Sequence, residues 1–235
     1  MSKKPVLMLT HMTSGDAGEI AIIAAELGYP VEVRRLNKGE PLPKNLADYA
    51  GFVSFGSPAS ANDTHVDFIR AELDWIPRVL AAELPFLGIC FGAQLLARVL
   101  DAKVAPHPKG QYEFGYYPIT PVGDSAALKM DAPLYISLRH GEGFELPRGA
   151  ELLAAGETFP HQAFRYGSAS FALQFHPEVN DDVLRYWLGR DPPPEDLLKP
   201  GAQSEELQWL NHVKYRSAMH GWLRKFFADW LTKGV

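Results

Sequence analysis

Short apolar or β-branched runs alternate with longer segments of helical periodicity over the first hundred residues. The short runs predict strands, because Gly, Pro or polar residues bound each of them. The longer segments predict helices, since their apolar residues recur three or four positions apart. The predicted strands are residues 5–10, 31–36, 51–56 and 85–89, and the predicted helices are residues 18–29, 66–82 and 91–101. This alternation is typical of a mostly parallel sheet covered by helices, that is, of an α/β fold.

The pattern changes after Ala102, where short segments follow one another without long helices between them. We expect strands here, some of them antiparallel, because parallel neighbours need a long crossover connection. These segments are residues 113–120, 133–140, 151–156, 162–167 and 170–175. Within the earlier helical segment 66–82, Pro77 is expected to bend or divide the helix, because proline lacks an amide hydrogen.

We divide the chain into a domain over residues 1–188, a proline-rich surface connection over 189–203 and a helical segment over 204–235. Ser204 is a candidate N-cap, and acidic residues at the next two positions favour a helix N-terminus. The apolar residues that follow predict one long helix or two, packed on the same domain. They are Leu207, Leu210, Tyr215, Trp222, Phe226 and Trp230.

Composition excludes several classes of function. The formal net charge is -5 and no basic cluster stands out, so neither nucleic acid nor a membrane surface is an expected partner. The apolar run 6–9, after two lysines, is too short for a signal peptide or a membrane span. The single cysteine, Cys90, excludes an internal disulfide framework and a cysteine-rich zinc site. These features predict a protein of the reducing cytoplasm.

The histidines show no metal-ligand spacing. We interpret His11, His65, His107 and His161 as ordinary loop residues. We therefore expect neither a metal nor another cofactor.

Cys90 lies where an apolar strand is predicted to turn into a helix, in the stretch LPFLGICFGAQLLARVL (84–100). Gly88 and Gly92, two residues before and after it, lack the Cβ atoms that would collide in a sharp strand-to-helix turn. A thiol at such a turn faces the first amides of a helix, whose partial positive charge favours the thiolate. Taken alone, the stretch fits both a nucleophile and a buried structural cysteine.

A second element lies at FALQFHPEVN (171–180). If residues 171–175 form a strand, His176 and Glu178 project to the same side with α-carbons about 7 Å apart, and the carboxylate can orient the imidazole. Pro177 lacks an amide hydrogen, so pairing should end here and leave both side chains at the mouth of the sheet. A base held by a carboxylate is what a cysteine nucleophile requires. Together with Cys90, the pair favours a catalytic interpretation.

The motifs GICFGAQ and QFHPEV, and the spacing between them, resemble those of the class I glutamine amidotransferases. The chain is similar in particular to small free-standing members that are like the glutaminase domain of GMP synthase. The resemblance runs from about Pro5 to Val183 and includes FVSFGSPASAND, EFGYYPI, RHGEGFELP and PHQAFRYG. It implies a three-layer sandwich with a flavodoxin-like, mostly parallel central sheet and extra antiparallel strands.

In that family a cysteine attacks the γ-carbonyl of glutamine, ammonia leaves, and water cleaves the γ-glutamyl thioester. The resemblance implies a Cys-His-Glu triad, in which Cys90 is the nucleophile, His176 the general acid and base, and Glu178 the residue that orients His176. It also implies an oxyanion pocket made of the Phe91 amide and an amide of the loop Gly56-Ser57-Pro58.

Ser57 departs from the family pattern, which usually has Gly-Gly-Pro in this loop. A serine still donates its amide hydrogen, but a positive-φ backbone that glycine tolerates would be costly for it. The resemblance therefore leaves open whether the loop is in its active conformation before substrate binds.

The resemblance also implies residues that hold the substrate. Gln94 lies one helical turn after Cys90 and is expected to contact the bound substrate. His140, Gly141 and Glu142 resemble a His-Gly-Asp stretch near which the α-amino and α-carboxylate groups of glutamine are held. Glu142 replaces the aspartate and is expected to pair with an ammonium group. Glu113 also matches the family and is assigned only to shaping the pocket.

Two enzyme functions are open at this point, and both use one thioester chemistry. The chain is either a glutaminase that delivers ammonia to a separate ammonia-consuming synthase, or a free-standing hydrolase of γ-glutamyl amides or peptides. The sequence contains no GxxxxGK[ST] motif, so the synthase activity itself is not expected in this chain. A third hypothesis is a non-catalytic binding module with the same fold, which the three candidate catalytic residues disfavour. The sequence leaves the oligomeric state open.

Overall fold

A computed structural model describes residues 3–12, 17–189 and 193–232 of the chain. Its strands are β1 (Val6–Thr10), β2 (Val31–Arg35), β3 (Gly51–Ser54), β4 (Phe86–Ile89), β5 (Val104–Pro106), β6 (Glu113–Pro121), β7 (Leu134–His140), β8 (Glu142–Phe144), β9 (Glu151–Ala155), β10 (Ala163–Tyr166) and β11 (Ser170–Leu173). Its α-helices are α1 (Gly18–Glu26), α2 (Asp67–Ala81), α3 (Phe91–Val99), α4 (Asp181–Leu188) and α5 (Glu205–Trp230). Short 3-10 helices lie at Leu36–Lys38, Leu46–Asp48, Ser125–Leu128 and Glu195–Leu198.

The main sheet of the described residues has the strand order β2-β1-β3-β4-β11-β10-β9-β6-β7. The half from β2 to β11 is parallel, and every pair beyond β11 is antiparallel. The first four strands follow the order of flavodoxin-like doubly wound folds, with β11 in the place of the fifth strand. The predicted α/β class, a parallel central sheet with extra antiparallel strands, is confirmed.

Helices cover both faces of the parallel half, which gives three layers. Strand β1 shows the arrangement, because successive side chains of a strand point to opposite faces. Val6 and Met8 pack in one apolar cluster with residues of α1 and α5, whereas Leu7 and Leu9 pack in a second cluster with residues of α2 and α3. A strand buried on both faces has no alternation of apolar and polar residues, which explains the unbroken apolar run in the sequence.

Helix α2 continues through Pro77, so of the two expected effects of this proline, a bend or a division of the helix, the division is wrong. Pro77 lies on the exposed side of α2. The carbonyl of Leu73, four residues earlier, loses its helical partner there, but water can take the place of that partner. The buried side of the helix carries Trp75 and Ile76.

Helix α4 was not expected from the sequence. The Asn180 side chain caps it by accepting a hydrogen bond from the Val183 amide at 3.1 Å, and two aspartates occupy its first turn. Val183 and Trp187 are among its buried residues. An N-cap asparagine followed by acidic residues was therefore the available sequence signal.

Helix α5 is a single helix, and Ser204 caps it as predicted by accepting a hydrogen bond from the Leu207 amide. Its second half is docked on the sheet, with Trp230 fully buried. Its first half differs from the prediction, because Leu207 and Leu210 are 43% and 62% exposed. Gln208 takes the buried position instead, and its amide donates to the carbonyl oxygens of Phe114 and Gln203.

The connection before α5 packs on β6 as well as lying at the surface. The Gln203 amide donates to the Phe114 carbonyl, and the Gln203 side chain bonds both the amide and the carbonyl of Tyr116. Asp196 forms an ion pair with Arg139 at 2.9 Å. Residues 190–192 of the proline-rich stretch lie outside the described residues, and the proposed domain limits stay a prediction. None of the helices described is long and apolar enough to cross a membrane.

Replacement of Trp230 tests the docking of α5. Trp230 is fully buried and its indole donates to the Ala169 carbonyl at 3.0 Å. We expect Trp230→Ala to lower the free energy of unfolding by about 3–5 kcal/mol, as large-to-small core substitutions do. The control Leu210→Ala, on an exposed position of the same helix, should change it by less than about 0.5 kcal/mol. Coincident urea unfolding curves for the two variants would contradict the docking of α5.

Candidate active site

Three neighbouring parallel strands end at one edge of the sheet and carry the candidate site residues. The Gly56-Ser57 loop follows β3, Cys90 follows β4, and His176 follows β11. The carboxyl ends of adjacent parallel strands meet at the same edge, where open α/β sheets bind ligands. The topology therefore brings together segments that are far apart in the sequence.

Cys90 occupies a tight strand-to-helix turn with an unusual backbone conformation, φ 51° and ψ −101°. Both flanking glycines are required by close backbone contacts. A Cβ atom on Gly92 would lie 2.1 Å from the Ser54 carbonyl oxygen, and one on Gly88 would lie 2.5 Å from the Gly92 carbonyl carbon. The predicted elbow at Cys90 is thus present, and such outliers of the backbone cluster at functional sites.

The Cys90 side chain is nearly buried, with 6% of the residue exposed. Its amide donates to the Leu173 carbonyl at 2.7 Å, which ties the turn to β11. Its sulfur lies 3.8 Å from the Arg139 carbonyl oxygen at the end of β7. The thiol therefore faces the segment that carries the RHGEGF sequence.

His176 and Glu178 contact each other directly, because the imidazole Nδ1 donates to the Glu178 Oε1 at 2.7 Å. The route to this contact differs from the prediction. Strand β11 ends at Leu173, and the His176 amide then donates to the Ser137 carbonyl of β7 at 2.7 Å. A turn beyond the strand, rather than strand alternation, places the two side chains together.

The environment of His176 favours its protonated form. Burial acts to lower the pKa of His176, but the charges of Glu178 and Cys90, together with the hydrogen bond to Glu178, outweigh burial and raise this pKa to about 10. A base that keeps its proton beside a thiol stabilises the thiolate form of the cysteine.

The Gly56-Ser57 loop lies against both side chains. A Cβ atom on Gly56 would be 2.8 Å from His176 Cε1 and 3.8 Å from Cys90 Cβ, so only glycine allows this approach. The φ angle of Ser57 lies outside the positive region, so the strain expected for serine is not present. Among the described residues, the Ser57 amide has no hydrogen-bond partner.

The residues expected to hold substrate form a connected group around β8. Gln94 and His140 both donate to the Glu142 carbonyl at 2.9 Å, and the Ser60 hydroxyl donates to the Glu142 carboxylate at 2.8 Å. The buried Glu113 carboxylate lies 3.0 Å from His140 Nε2. Glu113 therefore contacts this group directly, at His140. Gln94 is connected to the group through its hydrogen bond to the Glu142 backbone.

Gly141 lies in the same group, in close contact with the ring of Tyr112. A Cβ atom there would be 2.4 Å from Cζ of Tyr112. The tyrosine ring thus packs directly over the backbone between the histidine and the glutamate.

His11 is buried, so its interpretation as an ordinary loop residue is wrong. Its Nε2 lies 2.6 Å from Glu72 Oε2, and both side chains are fully buried. The Ser54 hydroxyl donates to the other Glu72 oxygen at 2.8 Å. His11 also donates through Nδ1 to the Gly56 carbonyl at 3.3 Å. The missed signal was its position directly after β1, at the same sheet edge as the other site residues.

A small cleft opens at this edge beside His176 and Glu178, whereas Cys90 is not on its wall. Side chains of α4 close one side of it, which explains why the unexpected helix matters to the site. The lining residues are Thr10, His11, Met12, Phe55, Gly56, His176, Glu178, Val183, Tyr186 and Trp187. In the part of the chain that the structure describes, no group of three or more His, Cys, Asp or Glu side chains is arranged to hold a metal ion.

Comparison with known proteins identifies the family. The family model for glutamine amidotransferase class-I matches residues 19–184. The chain belongs to the class-I glutamine amidotransferases. The chain is 31% identical to the glutamine amidotransferase-like protein YfeJ of Salmonella typhimurium, over 76% of this chain and 77% of that protein.

Other relatives differ in length from the present chain. It is 33% identical to a GMP synthase of Porphyromonas gingivalis over 66% of this chain, but spans only 29% of that protein. It is 31% identical to gamma-glutamyl peptidase 3 of Arabidopsis thaliana, over 61% of this chain and 60% of that protein. The solved structure of a glutamine amidotransferase from Thermotoga maritima superposes with a TM-score of 0.89, with 28% identity, over 98% of this chain and 99% of the other.

Substitution of Gly92 tests the elbow of this amidotransferase. A Cβ atom at Gly92 meets the Ser54 backbone, whereas one at Gly221 in α5 meets nothing within 4 Å. We expect Gly92→Ala to destabilise the protein by several kcal/mol, since backbone must move. Gly221→Ala should stabilise it by about 0.5–1 kcal/mol through helix propensity. Urea unfolding measures both, and a Gly92→Ala variant as stable as wild type would refute the close approach.

Proposed function

We propose that the protein is a thiol-dependent amidase that hydrolyses the γ-carboxamide of glutamine, or of another γ-glutamyl compound, through a γ-glutamyl thioester. The observation that carries the proposal is the 2.7 Å contact between His176 and Glu178 beside the single cysteine, Cys90. A protonated imidazole beside a thiolate is a nucleophile and a proton donor already in place. Membership of the class-I family supports the same chemistry.

The first half of the proposed reaction forms the thioester. The Cys90 thiolate attacks the γ-carbonyl carbon, a C–S bond forms, and the carbonyl electron pair moves onto oxygen. The amides of Phe91 and Ser57 are proposed to bind this oxyanion, because the first is an unpaired amide at a helix N-terminus and the second has no partner among the described residues. Collapse of the intermediate breaks the C–N bond, and His176 gives its proton to the leaving nitrogen.

The second half releases glutamate. The now neutral His176 takes a proton from water as the oxygen of that water attacks the thioester carbon. The C–S bond then breaks, the thiolate is restored, and His176 is again protonated. Glu178 is proposed to fix the tautomer with the Nδ1 proton on its own side, so that Nε2 faces the reacting atoms, and to stabilise the imidazolium.

The group around β8 is proposed to bind the amino-acid end of the substrate. The Ser60 hydroxyl donates to one oxygen of the Glu142 carboxylate. The negative charge of this carboxylate suits an α-ammonium group. His140, Gly141 and Gln94 fix the backbone on which Glu142 lies. They are therefore proposed as residues of the substrate site that act by holding Glu142 in place.

Two substrate classes fit this site. Similarity to gamma-glutamyl peptidase 3 favours a free-standing hydrolase of γ-glutamyl conjugates. Similarity to the GMP synthases favours a glutaminase that supplies ammonia to a separate synthase. In both cases the Cys90 thiol must stay reduced, which fits the reducing cytoplasm.

Turnover of a substrate panel tests the proposed function. Purified protein is incubated with glutamine, γ-glutamyl amides and γ-glutamyl peptides, and released glutamate is measured. We expect activity in the wild type that Cys90→Ala removes entirely, because no other thiol is present. A preference for conjugates would identify the hydrolase, and weak glutaminase activity alone would indicate a missing synthase. No turnover of any compound, or turnover that survives Cys90→Ala, would contradict the proposal.

Replacement of Glu178 tests the charge that acts on His176. The raised pKa of His176 means that protonation adds stability to the folded protein. This contribution is complete below the ordinary pKa of about 6.5 and is lost as pH rises through about 10. The Glu178→Gln variant should therefore be less stable than wild type near pH 6, by a margin that shrinks towards pH 10.

The same variant should slow hydrolysis by about a hundredfold or more, because the imidazolium loses its charged partner. The matched control is Glu145→Gln at an exposed carboxylate, which should change neither stability nor rate. Urea unfolding between pH 6 and pH 10 and steady-state kinetics provide the measurements. A rate equal to that of the wild type would remove Glu178 from the proposed mechanism.

A further inference from the structure

The peptide group between Gly56 and Ser57 is held from one side only. Its carbonyl oxygen, on Gly56, accepts a hydrogen bond from His11 Nδ1 at 3.3 Å, and its amide, on Ser57, has no partner among the described residues. The C=O and N–H bonds of a trans peptide are coplanar and point in opposite directions. A contact that fixes the carbonyl therefore also fixes the direction in which the Ser57 amide points.

His11 is itself held rigidly. Its Nε2 lies 2.6 Å from Glu72 Oε2, and the Ser54 hydroxyl donates to Glu72 Oε1 at 2.8 Å. The imidazole packs at 5.4 Å on the Phe68 ring and edge-on at 4.9 Å to the Phe91 ring. These contacts within the described part of the chain join His11 to α2, to the loop after β3 and to the first turn of α3.

The orientation of His11 is defined by its two partners. The Gly56 carbonyl only accepts hydrogen bonds, so the Nδ1 must carry a proton. The contact between Nε2 and Glu72 then holds one further proton between the ring and the carboxylate, whichever of the two carries it. A buried carboxylate without such a partner would be costly, so Glu72 keeps the ring in this orientation.

We propose that His11 and Glu72 form a positioning pair that aims the Ser57 amide at the oxyanion of the γ-glutamyl intermediate. His11 reaches both halves of the proposed oxyanion pocket, the Gly56-Ser57 peptide through a hydrogen bond and Phe91 through its ring. Neither side chain touches the reacting atoms. The inference rests on the proposed thioester chemistry, and it explains how a loop with serine in place of glycine is held in one conformation.

Two variants of His11 separate its two contacts. The amide nitrogen of asparagine takes the place of Nδ1, so His11→Asn keeps the Gly56 contact and loses Glu72. The amide of glutamine reaches the place of Nε2, so His11→Gln keeps Glu72 and loses Gly56. Each variant loses one buried hydrogen bond of His11. A purely structural role would make His11→Asn the more damaged of the two, because it leaves the buried Glu72 carboxylate without its partner.

The expected result is a difference in kcat. An oxyanion donor acts in the transition state only, so its misplacement lowers kcat and leaves KM nearly unchanged. Loss of one such donor costs about 10²–10³ in kcat. We expect His11→Gln to lose about ten- to a hundredfold in kcat with KM within about threefold of wild type. His11→Asn should keep kcat within about fivefold of wild type.

A matched control comes from His212, a second fully buried histidine, which bonds Tyr116 of β6 and Asp181 at the start of α4 and is not among the residues that line the cleft. His212→Gln should lose stability by an amount similar to His11→Gln but keep its kcat. Glu72→Gln is a further variant, because its amide can donate to Nε2 while its oxygen accepts from Ser54. It should keep most of the activity.

Crystal structures of His11→Gln and His11→Asn separate failure of this inference from failure of the proposed function. We expect the Gly56-Ser57 peptide to rotate in the first variant and to stay in place in the second. Equal kcat values for the two variants, or a change in KM alone, would overturn the positioning role while leaving the thioester chemistry intact. A wild type without turnover would contradict the proposed function. In that case the crystal structures still test the positioning pair, because a Gly56-Ser57 peptide that stays in place in both variants would overturn it. If His11→Gln does not fold, a loss of kcat in His11→Asn or in Glu72→Gln beyond about tenfold overturns it as well.

Discussion

The site depends on one close contact, between the first turn of α3 and the end of β3. Gly92 approaches the Ser54 carbonyl so closely that no other residue fits, and this approach forces the chain to reverse sharply at Cys90. The turn brings the cysteine to the carboxyl edge of the sheet and leaves the first amides of α3 unpaired beside it. Ser54 also bonds Glu72, so the same short segment connects the elbow to the buried pair under the Gly56-Ser57 loop.

Buried acid–base pairs surround this turn on both sides. His176 bonds Glu178, His11 contacts Glu72, and His140 lies beside Glu113, each with little or no exposure to solvent. Ionisable pairs are costly to bury, and removing one member of a pair leaves the other ionisable group buried without a partner. Such pairs gathered at one sheet edge are a feature of sites that orient protons and dipoles rather than of a stabilising core. This distribution supports an assignment of the edge to chemistry.

The sequence allowed the elements around Cys90 to be predicted because their signals are local. The apolar runs of β1, β3 and β4 have one interpretation, and Gly88 and Gly92 reveal the turn without any knowledge of Ser54. The His176–Glu178 contact was expected from strand alternation, yet the structure makes it through a turn after Leu173. The contact between the two side chains is present, but through a geometry other than the expected one.

Other features depend on distant partners and were missed for that reason. His11 contacts Glu72, 61 positions later in the chain, and no local pattern reveals this. Leu207 and Leu210 have helical spacing, but Gln208 is the residue buried between them, where its side-chain amide donates to backbone carbonyls of β6 and of the connection. Periodicity predicts that a helix has an apolar face. It does not predict where hydrogen-bond partners in the rest of the fold will bury a polar residue and leave the apolar ones exposed.

The most direct test of the central claim is the detection of the covalent intermediate. Wild-type protein would be mixed with an active γ-glutamyl compound, quenched in acid within the first turnover and digested for mass spectrometry. The account predicts a γ-glutamyl group bound to the peptide that contains Cys90, formed together with the first release of ammonia or amine and removed as glutamate appears. Glutamate formed at the full rate without any modified Cys90 peptide would contradict it.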